Sequence, residues 1–188
     1  HDPAMLDVAA AASRDRGVSY IAGHWRGIPD PGQRRSDYAD VVAEVRAALR
    51  DRATAALAAG VDRSHLVLDP GLGFDKTGEQ CWELLRRLGE LRSLGFPVLI
   101  GASRKRMLGE VLSAVPGAAS APADRDLATA VVSALAAREG AWGVRVHDAA
   151  ATATALAVER AWGAPPARPG HVHGGDRITL TGLEAFAH

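Results

Sequence analysis

Leu66-Val67-Leu68-Asp69-Pro70-Gly71-Leu72-Gly73-Phe74 is an apolar run of strand length that breaks, at a carboxylate, into proline and glycine. Two further segments have the same layout: Val98-Leu99-Ile100-Gly101-Ala102-Ser103-Arg104-Lys105 and Gly143-Val144-Arg145-Val146-His147-Asp148. Continuous apolar runs that end in polar or glycine-rich sequence are what parallel strands buried on both faces look like, with their working residues at the carboxyl ends. The segments lie roughly 30 to 45 residues apart, the spacing of successive βα units. This predicts a parallel sheet whose carboxyl rim gathers Asp69, Lys105, Arg145 and His147.

Working outward, the sequence between these runs is helical. Residues 3–16 read as a helix ending near Gly17, and 18–22 as a strand leading into His24-Trp25-Arg26. A Pro/Gly loop covers 28–36, and a long helix covers 37–59, with Val41, Val42, Val45, Leu49 and Leu57 on its inner stripe. A helix over 78–94 would bury Trp82, Leu85, Leu88 and Leu91. After the strand at 97–101 a helix is expected to start near Ser103, with that serine as its N-cap. A helix over 124–139 would turn Leu127, Val131 and Leu135 inward, and a last helix would cover 149–162. The order α-β-α-β-α-β-αα-β-α, with all active strand ends on one rim, suits α/β architecture of the TIM (β/α)8 type. A doubly wound sheet is the alternative. A whole barrel takes ~250 residues, so residues 1–163 would supply about the last four βα units. Residues 164–175 read as a Pro/Gly linker, and 176–188 as the start of a further domain.

Composition narrows the partners. Lys plus Arg and Asp plus Glu are both 22, for a formal net charge of zero. Nucleic-acid and membrane-surface binders usually carry a basic excess, so small-molecule partners are expected instead. The single cysteine, Cys81, rules out an internal disulfide framework and fits a reducing, cytoplasmic setting. No motif surrounds it, so it reads as a buried thiol. No apolar run of about 18 residues occurs.

The motifs carry specific chemistry. A partly desolvated carboxylate at Asp69 could accept two donors from a planar heterocycle with an amidine-like N–C–NH₂ edge, as in guanine or pterin rings. Gly71 and Gly73 would let the backbone approach a ligand closely; the plainer alternative is an ordinary turn aspartate and its glycines. Ser103-Arg104-Lys105 would present a helix start and a mobile cation to a carboxylate, phosphate or ring carbonyl. Arg145 and His147 alternate with Val146, and so share a face suited to a diphosphate. The alternative there is an Arg145–Asp148 ion pair beside a core histidine. His24-Trp25-Arg26 reads as structural, and His171-Val172-His173 lacks the partners that a metal site requires, so no metal ligand is assigned.

Asp69-Pro70-Gly71-Leu72-Gly73-Phe74, Gly101-Ala102-Ser103-Arg104-Lys105 and Arg145-Val146-His147-Asp148 resemble three signatures of dihydropteroate synthase, of an actinobacterial type. The similarity runs over about 1–163. It implies a TIM barrel that joins 6-hydroxymethyl-7,8-dihydropterin diphosphate to 4-aminobenzoate, with Mg²⁺. Its implied roles are Asp69 on the pterin edge, Lys105 on the pterin and the transition state, Gly73 and Ser103 among the substrate contacts, and Arg145 with His147 on the diphosphate. Phe74 and the 103–106 turn would border the aminobenzoate pocket, where sulfonamides compete. In this family the C–O bond largely breaks before the amine attacks, so catalysis rests on stabilising a departing anion and a pterin cation. The resemblance also implies a homodimer, and a Mg²⁺ ligand and mobile loops in a first half that precedes these units. Arg106 stands where some relatives carry serine. The segment 175–188 resembles the opening strand of dihydroneopterin aldolase.

Two other readings compete. A non-catalytic paralogue of the same barrel would act as a binding module, but would not need Asp69, Lys105, Arg145 and His147 together. A pterin-binding methyltransferase barrel accounts for Asp69, but not for Ser103-Arg104-Lys105 beside Arg145 and His147.

Overall fold

The computed structural model describes residues 4–27, 35–117 and 121–163. The linker and the segment at 176–188, with His171 and His173, lie outside the described residues.

Helix α1 (Ala4–Arg16) leads into strand β1 (Tyr20–Gly23), and α2 (Val41–Ala58) into β2 (Leu66–Asp69). Helices α3 (Gly78–Arg86) and α4 (Leu88–Arg92) precede β3 (Leu99–Ile100). Then follow α5 (Arg106–Leu112), α6 (Asp126–Arg138), β4 (Gly143–Val144) and α7 (Ala149–Gly163). β1 pairs parallel with β2, Gly23 opposite Asp69, and β3 pairs parallel with β4. A parallel bridge between Leu68 and Val98 joins the two pairs. The strands therefore lie side by side in chain order. A doubly wound sheet reverses that order at a switch point, whereas a barrel does not.

β2 is buried along its whole length. That is why it is purely apolar up to Asp69, and why the sequence shows no alternation there. Val42, Val45 and Leu49 of α2 are fully buried in the same core as Leu66 and Leu68 of β2. Asp40 caps α2 by accepting from the Val42 and Ala43 amides at 3.0 and 2.9 Å. Thr77 and Gln80 cap α3 reciprocally.

Four expectations need correction. The segment 78–94 is two helices broken at Arg87, whose guanidinium is held by Glu83, Glu90 and Asp40; the buried face carries Cys81, Leu84, Leu88 and Leu91, leaving Trp82 and Leu85 half-buried. The helix after β3 begins at Arg106, so Ser103 is not its N-cap. In α6 the larger side chains Leu127, Val131 and Leu135 face outward, and the inward face is Thr129, Ala130, Val132, Ser133 and Ala136. Small residues let α6 approach its neighbours closely, and that outweighs the simple expectation that the bulkiest stripe is the inner one. Finally, β3 and β4 are shorter than 97–101 and 143–147, although ladder bonds continue on either side, from the Trp142 amide to the Val98 carbonyl and from the Arg145 amide to the Ile100 carbonyl. Arg145 and His147 thus lie just past the strand.

Candidate active site

Each strand delivers one polar group to the same rim. Asp69 ends β2 and is buried, and the following turn needs glycine at two positions. Gly71 has φ +67°, and a Cβ there would fall 1.9 Å from the His24 carbonyl oxygen. Gly73 has φ +75°, and a Cβ there would meet the Lys105 stem at 2.8 Å. The glycines therefore bring the loop against both the β1 end and Lys105.

Each oxygen of the Asp69 carboxylate accepts a hydrogen bond. Oδ1 accepts from the Gly71 amide at 2.8 Å, and Oδ2 accepts from Arg145 Nη2 at 2.9 Å. Arg145 reaches it across Gly101, where a Cβ would sit 2.8 Å from the guanidinium. Its partner is thus Asp69 of β2, and the Asp148 pairing considered from sequence is not made; Asp148 instead accepts from the Ala151 amide at the start of α7. Lys105 donates to the Leu72 carbonyl, and its ammonium lies 4.3 Å from the centre of the Phe74 ring. Burial lowers the Lys105 pKa, an effect opposed by Asp69.

Ser103 and His147 form a pair beside this group. Ser103 Oγ lies 2.8 Å from His147 Nδ1 and accepts from the His147 amide at 3.1 Å. With the proton of a neutral imidazole on Nε2, the serine hydroxyl donates to Nδ1; in the charged form Nδ1–H donates back. Nε2–H is a donor in both states.

Asp69, Gly71, Phe74 and Arg145 line a cavity of about 690 Å³ that extends to His24 and Trp25. Lys105 meets this lining at the Phe74 ring, whereas Ser103 and His147 are not among the residues that line the cavity. The structure therefore brings Asp69, Gly73, Phe74, Lys105 and Arg145 into one contact set, with Ser103–His147 adjoining.

Sequence reasoning missed Lys76. Its side chain is 1% exposed, and its ammonium donates to His24 Nδ1 at 2.9 Å and to the Gly71 and Phe74 carbonyls at 3.1 and 3.0 Å. Burial lowers its pKa to about 8. His24, itself buried, is pushed down to about 3 by burial first and then by Lys76, Arg52 and Arg26. A signal was present in the sequence: Lys76 and Lys105 are the only lysines among 188 residues, and both hold the 71–74 loop. Arg26 bridges Asp37 and Glu44 at 2.8 and 2.5 Å and stacks on Tyr38. Cys81 is buried, its Sγ accepting from the Gly73 amide at 3.2 Å.

Among the described residues no group of three or more His, Cys, Asp or Glu is gathered to hold a metal ion. By themselves, then, these residues do not form a donor set for Mg²⁺. No helix among the described residues is long and apolar enough to cross a membrane.

Parallel strands in chain order place a carboxylate, a lysine and an arginine on one rim of a (β/α) fold. The family model described as pterin binding enzyme matches residues 1–147, and the chain belongs to that family. The dihydropteroate synthase of Mycobacterium leprae is 52% identical over 162 residues, covering 86% of this chain and 56% of that protein. Dihydropteroate synthase from Thermus thermophilus in complex with 4-aminobenzoate superposes with a TM-score of 0.74 at 42% identity, over 86% of this chain and 62% of that one. The Xanthomonas albilineans enzyme in complex with 7,8-dihydropteroate gives 0.75 at 40% identity, over 88% and 58%. The four βα units are part of a TIM barrel. The chain spans about half the length of the curated relatives it matches.

Proposed function

We propose that this chain supplies the pterin- and diphosphate-handling half of a dihydropteroate synthase. The overall reaction condenses 6-hydroxymethyl-7,8-dihydropterin diphosphate with 4-aminobenzoate to give dihydropteroate and diphosphate, a step of folate biosynthesis. One observation carries the reading: Asp69 and Arg145, paired at 2.9 Å, line one cavity together with Phe74, over whose ring the Lys105 ammonium lies. This is a matched set for a ligand with a donor-rich ring at one end and an anion at the other.

The pterin's N–C–NH₂ edge takes the Asp69 oxygen that Arg145 now occupies. Arg145, nearly half exposed, swings to the diphosphate, where its fork binds two oxygens and His147 Nε2–H donates to a third. Lys105 leaves the Leu72 carbonyl for the ring and the developing negative charge. The C–O bond at the exocyclic methylene breaks, and the electron pair leaves with diphosphate. The aminobenzoate nitrogen then bonds to the methylene carbon and loses a proton. Phe74 and the 103–106 turn border the aminobenzoate, with Ser103 fixing His147 and Gly73 opening the approach. Preorganised positive charge on the leaving anion is the main contribution to rate. The reading includes a cytoplasmic enzyme that works as a homodimer and takes Mg²⁺ from ligands outside these residues.

The test joins the chain to the complementary four βα units of a relative and assays dihydropteroate formation. The reading expects turnover, and expects Lys105→Ala to remove it by a factor of about 10³. Turnover unchanged in Lys105→Ala, or a folded barrel that binds neither substrate, would overturn it in favour of a non-catalytic paralogue.

A further inference from the structure

Arg104 stands between the two site residues Ser103 and Lys105 and has a left-handed backbone, φ +58°. For a residue with a Cβ that conformation is strained. It persists because every polar group of Arg104 is held from one side. Its guanidinium forms two parallel bonds to Asp126, Nε–Oδ1 at 2.8 Å and Nη2–Oδ2 at 2.7 Å. Its amide donates to Thr129 Oγ1 at 3.2 Å, and its carbonyl accepts from Arg125 Nη1 at 3.0 Å. These three partners sit at the start of α6. Arg125 gets there across α5, over Gly109, where a Cβ would lie 2.9 Å from its guanidinium.

The turn at Arg104 decides where its neighbours go. With φ positive there, Ser103 is directed to His147 while Lys105 crosses to Leu72 and Phe74. An ordinary right-handed residue at that point would rotate the following peptide and carry the Lys105 stem away from Gly73. We propose that Asp126 is a positioning residue: from outside the cavity it locks Arg104 in the left-handed turn, and through it fixes the Lys105 ammonium at the rim. The bidentate pairing also lowers the Asp126 pKa, consistent with a carboxylate that keeps its charge and its grip.

The placement stands whatever the ligand is; only its consequence for catalysis rests on the function proposed above. The lysine content makes it measurable. Since Lys76 and Lys105 are the only lysines, acylation of the intact folded chain by acetic anhydride, followed by peptide mass spectrometry across a pH series, reads the two ammonium groups separately. Lys76 is buried and reports general loosening, while Lys105 reports the turn. Asp126→Asn keeps the shape and one acceptor but drops the charge and replaces the second acceptor by a donor, so the two-bond fork to Arg104 cannot form. It is expected to speed Lys105 acylation about tenfold, as loss of one charge-assisted hydrogen bond implies, with Lys76 unchanged. Adding Arg104→Gly, which accepts a left-handed turn unaided, is expected to slow Lys105 again. Three results would overturn the proposal: an unchanged Lys105 rate in Asp126→Asn, equal acceleration of both lysines, or no slowing in the double variant. No ligand enters the readout, so failure of the clamp and failure of the pterin assignment give different results.

Discussion

Asp69, Arg145 and Lys105 illustrate how charge is stored at the rim. The carboxylate is buried and accepts one hydrogen bond on each oxygen, and the two cations occupy groups that a ligand would relieve. Asp69 is buried while its partner Arg145 is nearly half exposed, so Arg145→Met should cost about 1–3 kcal/mol in urea unfolding by leaving a buried carboxylate one donor short, while weakening binding of inorganic diphosphate at least about tenfold by calorimetry. His24 gives a prediction of opposite kind. Its folded pKa of about 3 lies below its ordinary 6.5, so between those values the unfolded chain binds the extra proton. The stability that His24 contributes is fully present above pH 6.5 and falls as pH drops toward 3, by up to about 1.4 kcal/mol per unit. His24→Asn keeps an acceptor for Lys76 but does not titrate. Urea unfolding at descending pH should show the parent losing stability relative to His24→Asn below pH 6.5 and running parallel above it. Parallel curves throughout would place the imidazole in a more hydrated setting than its burial indicates. Asp69, Lys105, Arg145 and His147 were legible in the sequence because chemistry-bearing residues at strand ends stand out against apolar runs. Lys76 was not, because burial of a lysine is decided by three acceptors from two separate segments, and neither segment alone announces it.

At the scale of elements, the sequence located the four strands and most helices among the described residues, since the periodicities of buried strands and half-buried helices differ. It erred where tertiary contacts overrode local pattern. Arg87 breaks one expected helix because its guanidinium is tied to Asp40 at the start of α2 as well as to Glu83 and Glu90. The start of α5 was set three residues early because Ser103 has a better partner in His147 than in a helix amide. The orientation of α6 was reversed because close packing favours Ala130, Ser133 and Ala136 over larger side chains. The Thr77–Gln80 capping box sets where α3 begins, and so where the 71–76 loop ends. Thr77→Ala should cost about 1 kcal/mol of stability, with a matching fall in the urea midpoint. Leu49→Ala in the fully buried stripe of α2 should cost about 2–5 kcal/mol. Near-equal losses for the two variants would mean that α2 is less tightly packed than its burial implies.

For the molecule as a whole, four strands in chain order make an arc whose carboxyl rim carries the site and whose outer layer of helices carries an apolar face. Leu127, Val131 and Leu135 on α6 are each more than half exposed, and Val158 and Trp162 on α7 more so than most. Such a face is costly in water, in keeping with the homodimer proposed above. Sedimentation should show self-association that Val131→Lys with Leu135→Glu weakens, and a monomer at all concentrations would count against the dimer. The account turns on one claim, that Asp69, Lys105, Arg145 and His147 act on a single ligand. The direct measurement is calorimetric titration of the completed barrel with 6-hydroxymethyl-7,8-dihydropterin diphosphate, and with 6-hydroxymethylpterin and inorganic diphosphate separately. The account predicts that Asp69→Asn selectively weakens the pterin, that Arg145→Met and His147→Ala selectively weaken diphosphate, and that all three variants and Lys105→Ala weaken the joined ligand by at least about tenfold. Joined-ligand affinity that ignores either the Asp69 end or the Arg145–His147 end would contradict it.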